Sequence, residues 1–329
     1  MRRAVFRLLI PLMLIADAVA AQAPVFPVDE QKRVIEAAAD LIDARYVDAK
    51  KGREIARALR KSSSQLRVAV DGKSFATQTT TLLRKISGDG HLGLSFSAKP
   101  IPEQQGESDF SAAEMERWYG AQLNHGIEKI ERLPDNILLL DLRVFPPTSM
   151  AGDVFAAAMT VVAQGDALIL DLRENGGGAE TINLLAGYVL EGGSPLSGSY
   201  TRPTDKRVHV TSPDWVPGRR FGATKPLYIL TSRKTFSAAE ALAYDLQALK
   251  RAVIVGEVTG GGAHPFEYRR IHEHFAVDLP ESRSINPITG TNWQDVGVKP
   301  DVQVPADEAL DKALELARAA IAANRGKSD

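Results

Sequence analysis

Ser237 is the residue best placed for chemistry. It ends the polar turn Thr231-Ser232-Arg233-Lys234-Thr235-Phe236, which follows the aliphatic run Leu227-Tyr228-Ile229-Leu230. Beyond it, Ala238-Ala239-Glu240 opens a stretch in which Ala241, Leu242, Tyr244, Leu246 and Leu249 recur at helical spacing. Ser237 thus stands where a strand hands over to a helix. The first N–H groups of a helix have no intrahelical partner and carry the positive end of its dipole, so the N–H of Ala238 would stabilise charge growing on a bound carbonyl oxygen. The same residues read as a capping box, with Ser237 as N-cap and Glu240 three positions on. From this stretch alone both readings stand.

His91 is the candidate general base. It follows Ser87-Gly88-Asp89-Gly90, a turn with unusual backbone freedom, and leads into the alternating Leu92-Gly93-Leu94-Ser95-Phe96-Ser97 of a half-buried strand. Its ordinary pKa near working pH suits proton transfer; it also reads simply as a turn residue. A second strand-to-helix turn, Arg173-Glu174-Asn175-Gly176-Gly177-Gly178, admits close backbone approach and offers a second oxyanion donor, a phosphate loop or a plain turn. It lacks the Gly-Lys-Ser/Thr of a P-loop and the G-x-G-x-x-G of a dinucleotide fold. His272 and His274 stand two apart on an expected strand that runs through Ala276, hence on one face, but without a third ligand they read as solvent-facing, and no metal is expected.

The elements that must position these residues show in the hydrophobic periodicity. Val34, Ile35, Ala38, Leu41 and Ile42, then Ile55, Ala56 and Leu59, then Thr79 to Ile86 form helical stripes broken at Ser62-Ser63-Ser64 and Asp71-Gly72-Lys73, which predicts a small N-terminal helical domain over 28–90. Lys99 to Ser111 reads as a surface linker and Ala112 to Gln122 as a short helix. Strands at 137–142, 167–172, 227–230 and 252–255 then alternate with helices at 152–163, 182–190 and from Ser237 onward. This is the pattern of an α/β core, a mostly parallel sheet flanked by helices, with its site at the carboxyl ends of the strands. The core domain is expected over 91–305, and a terminal helix from Asp307 to Arg325 within a tail of 306–329.

The bulk numbers exclude other classes. In 329 residues, 44% hydrophobic and 25% charged, a net charge of -1 gives no general attraction to nucleic acid or to anionic membranes. There is no cysteine, hence no disulfide and no thiol nucleophile. Residues 1–20 read as a secretory signal: basic Arg2, Arg3 and Arg7, an apolar Leu8 to Ile15 too short to span a bilayer, and Ala18-Val19-Ala20 for cleavage. Export to the periplasm or medium is expected, with no membrane span in the mature chain.

Taken in order, His91 after Gly88-Asp89-Gly90, Asp171 through Gly178, the Ser237 turn, Gly256-Glu257 to Pro265 and Asn286 through Asp301 resemble the tail-specific, or C-terminal processing, serine peptidase family. The likeness is closest to its interphotoreceptor retinoid-binding-protein-like branch, which shares its core with tricorn protease, and covers roughly Val28 to Asp301. It implies a crotonase/Clp-protease-like core, Ser237 as nucleophile, His91 as base, the N–H groups of Ala238 and Gly177 as oxyanion hole, peptide or protein substrates, and no cofactor. Processing peptidases use a Ser/Lys dyad with the lysine in Gly-Glu-x-Thr-Phe-Gly-Lys-Gly; Gly262 holds that position here. They usually carry a PDZ domain, for which Lys99 to Gln122 is too short. The tricorn-like set includes a glutamate three residues before the Gly-Val-x-Pro-Asp signature, and here that residue is Gln294, whose amide accepts a hydrogen bond but carries no charge. Asp295 is a possible substitute. A weakened set also suits a different class, a binder of hydrophobic small ligands on a peptidase scaffold.

Overall fold

The computed structural model describes residues 26–62, 71–103 and 112–325. The expected signal segment and its cleavage site, and most of the expected 99–111 linker, lie outside the described residues. Three helices open the described chain, α1 (Val28–Arg45), α2 (Ala49–Ser62) and α3 (Gly72–Ser87). The Asp71 side chain caps α3 by accepting from the Ser74 N–H at 2.9 Å, and Gly88 closes it at φ 71°. That left-handed exit aims the chain at Asp89-Gly90-His91, after which β1 (Gly93–Phe96) begins.

The body follows: α4 (Ala112–Tyr119), β2 (Ile127–Leu133), β3 (Ile137–Leu142), α5 (Thr148–Val162), β4 (Ala167–Asp171), α6 (Thr181–Val189), β5 (Pro195–Thr201), β6 (Lys206–Thr211), β7 (Leu227–Thr231), α7 (Ala238–Ala248), β8 (Val253–Gly256), β9 (Phe266–His272), β10 (Phe275–Pro280), β11 (Ser282–Ile285), β12 (Val302–Gln303) and α8 (Ala309–Arg325). A six-stranded sheet runs β12-β8-β7-β4-β3-β2, parallel throughout except for β2 against β3. Its central strands are apolar on both faces because both are covered. Leu138, Leu140, Leu168, Leu170 and Ile229 meet Phe155, Leu185 and Leu242 of α5, α6 and α7. Ile137, Leu139, Ile169 and Leu230 meet Ala309, Ala313, Ala317 and Ile321 of α8. The alternation along each strand thus sorts the core into two layers.

A second core lies apart. Val34, Ile35, Ile42, Leu59, Phe75 and Leu83 of the N-terminal helices share one buried cluster with Leu92, Leu94, Phe275, Val277 and Leu279. The strands there form an antiparallel sheet, β1-β10-β9, and a third sheet, β11-β5-β6, is also antiparallel. The single strand expected through Ala276 is in fact this β9-β10 hairpin. The chain turns at Glu273 and His274, so His272 and His274 do not share a strand face. His274 Nδ1 lies 2.9 Å from the Ser97 carbonyl oxygen, and His272 Nε2 lies 3.4 Å from Glu30 Oε2. Among the described residues no helix is long and apolar enough to cross a membrane.

Candidate active site

The fold brings Ser237 and His91 together across 146 residues of chain: His91 Nε2 lies 3.0 Å from Ser237 Oγ. Ser237 is held at φ 54°, ψ -118°, a backbone state that costs a non-glycine residue about 1–3 kcal/mol and needs its surroundings to enforce it. Those surroundings are specific. Phe236 N–H donates to the Asn175 carbonyl (3.0 Å), Thr235 Oγ1 to the Leu172 carbonyl (2.8 Å), and Ser237 N–H to Glu240 Oε2 (2.9 Å). The glutamate half of the expected capping box therefore forms, while the serine hydroxyl meets the imidazole. The cap and site readings of Ser237 coexist.

Glu240 does more than cap. Fully buried, it also accepts from Gly261 N–H (2.7 Å), Gly262 N–H (2.8 Å) and Thr259 Oγ1 (2.5 Å), tying the serine turn to the second glycine-rich loop. Burial pushes its carboxyl above the usual range against the pull of these donors.

The first glycine loop packs under the serine. Gly177 has φ +104°, and a Cβ there would lie 2.7 Å from the Ser237 Cβ, so only glycine fits. Its N–H, the expected second oxyanion donor, is engaged by Asn175 Oδ1 at 2.8 Å. Asn175, wholly buried, also donates from Nδ2 to the Leu142 carbonyl at 3.1 Å. Phe145 bridges this loop in parallel, giving its N–H to the Gly177 carbonyl and accepting from Ala179 N–H. In that pattern the Gly178 N–H points away from Phe145, on the wall of the cleft that Gly178 shares with Ser237 and Ala238.

Behind His91 stands a carboxylate that the sequence reading took as a turn residue. Asp89 is fully buried; its Oδ1 accepts from the His91 N–H (3.0 Å), and its Oδ2 accepts from Tyr46 Oη–H (2.8 Å) and faces His264 Nδ1 (2.8 Å). Burial alone would raise its pKa, but His264, Tyr46 and the His91 N–H hold it below the usual carboxylate range. Asp89 Oδ1 lies 4.0 Å from His91 Nδ1, a buried nitrogen with no hydrogen-bond partner among the described residues. Burial pushes His91 down to about 4, with Asp89 opposing. The imidazole is therefore neutral at neutral pH, the form a base requires. It also stacks on Phe236, ring centres 4.7 Å apart.

Gln294 makes no hydrogen bond to this pair. Its Oε1 accepts from the Ala263 N–H (2.7 Å) and its Nε2 donates to Asp295 Oδ1 (2.8 Å), while neighbouring Trp293 donates from Nε1 to the Gly262 carbonyl (2.8 Å). The residue expected to complete the catalytic set thus bonds to the second glycine-rich loop, from within the turn Gln294-Asp295-Val296. Asp295 is exposed and lies 3.6 Å from Lys51. At Gly262, a Cβ would come within 2.2 Å of Phe236 Cζ and 2.8 Å of His91 Cε1. A lysine there and this histidine exclude one another.

Ser237, Ala238, His91 and Gly178 line a cleft of about 450 Å³. A mostly parallel, helix-flanked sheet with such a cleft at its strand ends defines an α/β protein with its site above the sheet. More particularly, the chain belongs to peptidase family S41, whose sequence pattern matches residues 136–304. It is 29% identical over 152 residues to the tail-specific protease of Haemophilus influenzae, covering 43% of this chain and 21% of that protein. It is 32% identical over 150 residues to the chloroplastic C-terminal processing peptidase of Tetradesmus obliquus, covering 45% of this chain and 30% of that one. The chain thus matches less than a third of the length of either relative. In fold it resembles tricorn protease, with a TM-score of 0.59 over 91% of this chain and 37% of that one at 13% identity.

Proposed function

We propose that the protein is an exported serine-type peptidase acting through a Ser237 acyl-enzyme, with His91 as general base. The observation that carries this reading is the 3.0 Å approach of His91 Nε2 to Ser237 Oγ in an open cleft, with the imidazole held neutral. Ser237 Oγ attacks the scissile carbonyl while His91 Nε2 takes its proton and then delivers it to the leaving amine. Water, deprotonated by the same nitrogen, releases the acyl group. The Ala238 N–H, at the first helical position, is one oxyanion donor; with the Gly177 N–H committed to Asn175, the second is the Gly178 N–H. Asp89 stabilises the transient imidazolium from 4.0 Å. No cofactor is needed. A carrier of hydrophobic ligands would have no use for the approach of His91 to Ser237.

The test is labelling by a fluorophosphonate probe, read by intact mass on wild type, Ser237→Ala and His91→Ala. Labelling of wild type alone is expected; a folded wild type that does not react would refute the reading. Export rests on residues 1–20 and predicts a mature N-terminus at Ala21, measurable by mass.

A further inference from the structure

One buried acid in the cleft has no part in the chemistry above. Asp245 is 5% exposed and lies on the α7 face that also presents Ala238 and Ala241 to the cleft, positions that one helical face brings into line. Ser197 of β5 bonds to it directly, and Ser199 of β5 and Ser284 of β11 line the same cleft.

Among the described residues Asp245 and Glu240 are buried acids that meet no cation, and of the two only Asp245 lines the cleft. Glu281 binds Arg45 and Arg269, Asp171 binds Arg173, and Asp89 faces His264. Asp245 accepts only from neutral donors: Ser197 Oγ (2.5 Å) and Asn286 Nδ2 (2.9 Å) at Oδ1, and Ser197 N–H (3.0 Å) at Oδ2. Among the described residues it makes no ion pair, and no lysine or arginine lines the cleft, whereas Glu180 adds a second carboxylate at its rim. Three donors leave part of a carboxylate's capacity unused, at Oδ2. Burial pushes the Asp245 carboxyl above the usual range against the pull of Ser197 and Asn286, and an arriving cation would offset that cost.

We propose that Asp245 forms the floor of a specificity pocket for a basic side chain, lysine or arginine, on the residue whose carbonyl Ser237 attacks. This rests on the peptidase reading. The geometry fits: eight residues of helix span about 12 Å, and side chains lean toward the helix N-terminus, which brings the carboxylate to about 10 Å from Ser237. That is the reach of a long cationic side chain on an acyl group at Ser237, and beyond that of a short one. Small Ala238 and Ala241 leave the path open.

The experiment compares peptides differing only in arginine, lysine, leucine or glutamate at that position, by kcat/KM, for wild type, Asp245→Asn and Ser197→Ala. In parallel, calorimetry measures binding of the arginine and leucine peptides to Ser237→Ala, with and without Asp245→Asn. Wild type is expected to favour arginine and lysine over leucine at least tenfold, with glutamate poorest. Asp245→Asn should reduce that ratio to within threefold of unity, whereas Ser197→Ala, which removes a neutral donor and keeps the charge, should retain it. The proposal is overturned if leucine or glutamate is preferred, if the ratio survives Asp245→Asn, or if Ser197→Ala abolishes it equally, which would make Asp245 a brace for the wall. Should no peptide be cleaved, the peptidase reading falls, and binding decides the pocket separately: tighter arginine binding that depends on Asp245 supports it, equal binding refutes it.

Discussion

The two halves of the site are built in opposite ways. The serine half is assembled from turns at the ends of adjacent strands β4 and β7, over one core, with Asn175, Thr235 and Glu240 clamping the backbone. The histidine half hangs from a different core, that of the N-terminal helices and β10, and is braced by Tyr46 at the end of α1 and by His264 from the second glycine loop. The geometry of the proposed nucleophile is thus local, whereas the proposed base is delivered by packing across a seam. Substitutions in the N-terminal helices should consequently act on proton transfer, and those in the sheet on the nucleophile and the oxyanion donors.

The largest effect should come from breaking either half outright. Ser237→Ala and His91→Ala are each expected to lower kcat/KM by about four orders of magnitude or more, and the double variant by little further, because groups acting as a unit are not additive. Peptide hydrolysis measures this; substantial activity in His91→Ala would show that the seam carries no chemistry. Next, Gly262→Lys should lower the rate of fluorophosphonate labelling by roughly a thousandfold instead of creating a Ser/Lys dyad, since even its Cβ collides with Phe236 and His91.

Asp89→Asn sharpens the comparison from the histidine side. With the shape kept and the charge lost, kcat should drop about a hundredfold at nearly constant KM, the signature of an interaction made in the transition state. A rise in KM at nearly constant kcat would instead assign Asp89 to substrate binding.

The buried imidazole also makes a pH prediction. His91 sits at about 4 when folded against a reference of 6.5, so between those values the unfolded chain binds the extra proton. Stability should then rise with pH from about 4 to 6.5, by roughly 3 kcal/mol from this group. The acid limb of kcat/KM should be centred near 4. His91→Gln should flatten the stability rise, which denaturant titration across that window would detect. The smallest effect is expected from Gln294→Glu, a few-fold loss in rate, because the Nε2–H donor to Asp295 would be replaced by a second carboxylate facing it, while the Ala263 N–H keeps its acceptor. A gain in rate would return position 294 to the catalytic set.

Much of the serine half was legible in the residues, because a strand-turn-helix handover is a local pattern. β3 spans the expected 137–142, and β4, α6, β7 and α7 fall within a residue or two of their periodic runs. The histidine half was legible only as a residue. Asp89 read as a turn former two residues from His91, and Tyr46 and His264 carried no signal at all, since their meeting depends on how α1 packs against the far glycine loop. The β9-β10 hairpin was hidden because its turn, Glu273-His274, lacks glycine, proline or asparagine.

Sequence alone determined the α/β order of elements, the family motifs and the candidate pair, because periodicity and turn chemistry act over neighbouring residues. Tertiary structure alone decided that Gly177 gives its N–H to Asn175, that Gln294 serves the loop, that Asp89 backs the imidazole, and that Asp245 waits in the cleft without a counter-charge. The Gln294 and Asp245 contacts join segments far apart in the chain, and the Asn175 and Asp89 contacts, though only two residues long, take their direction from the packing that buries both side chains, which no local pattern records.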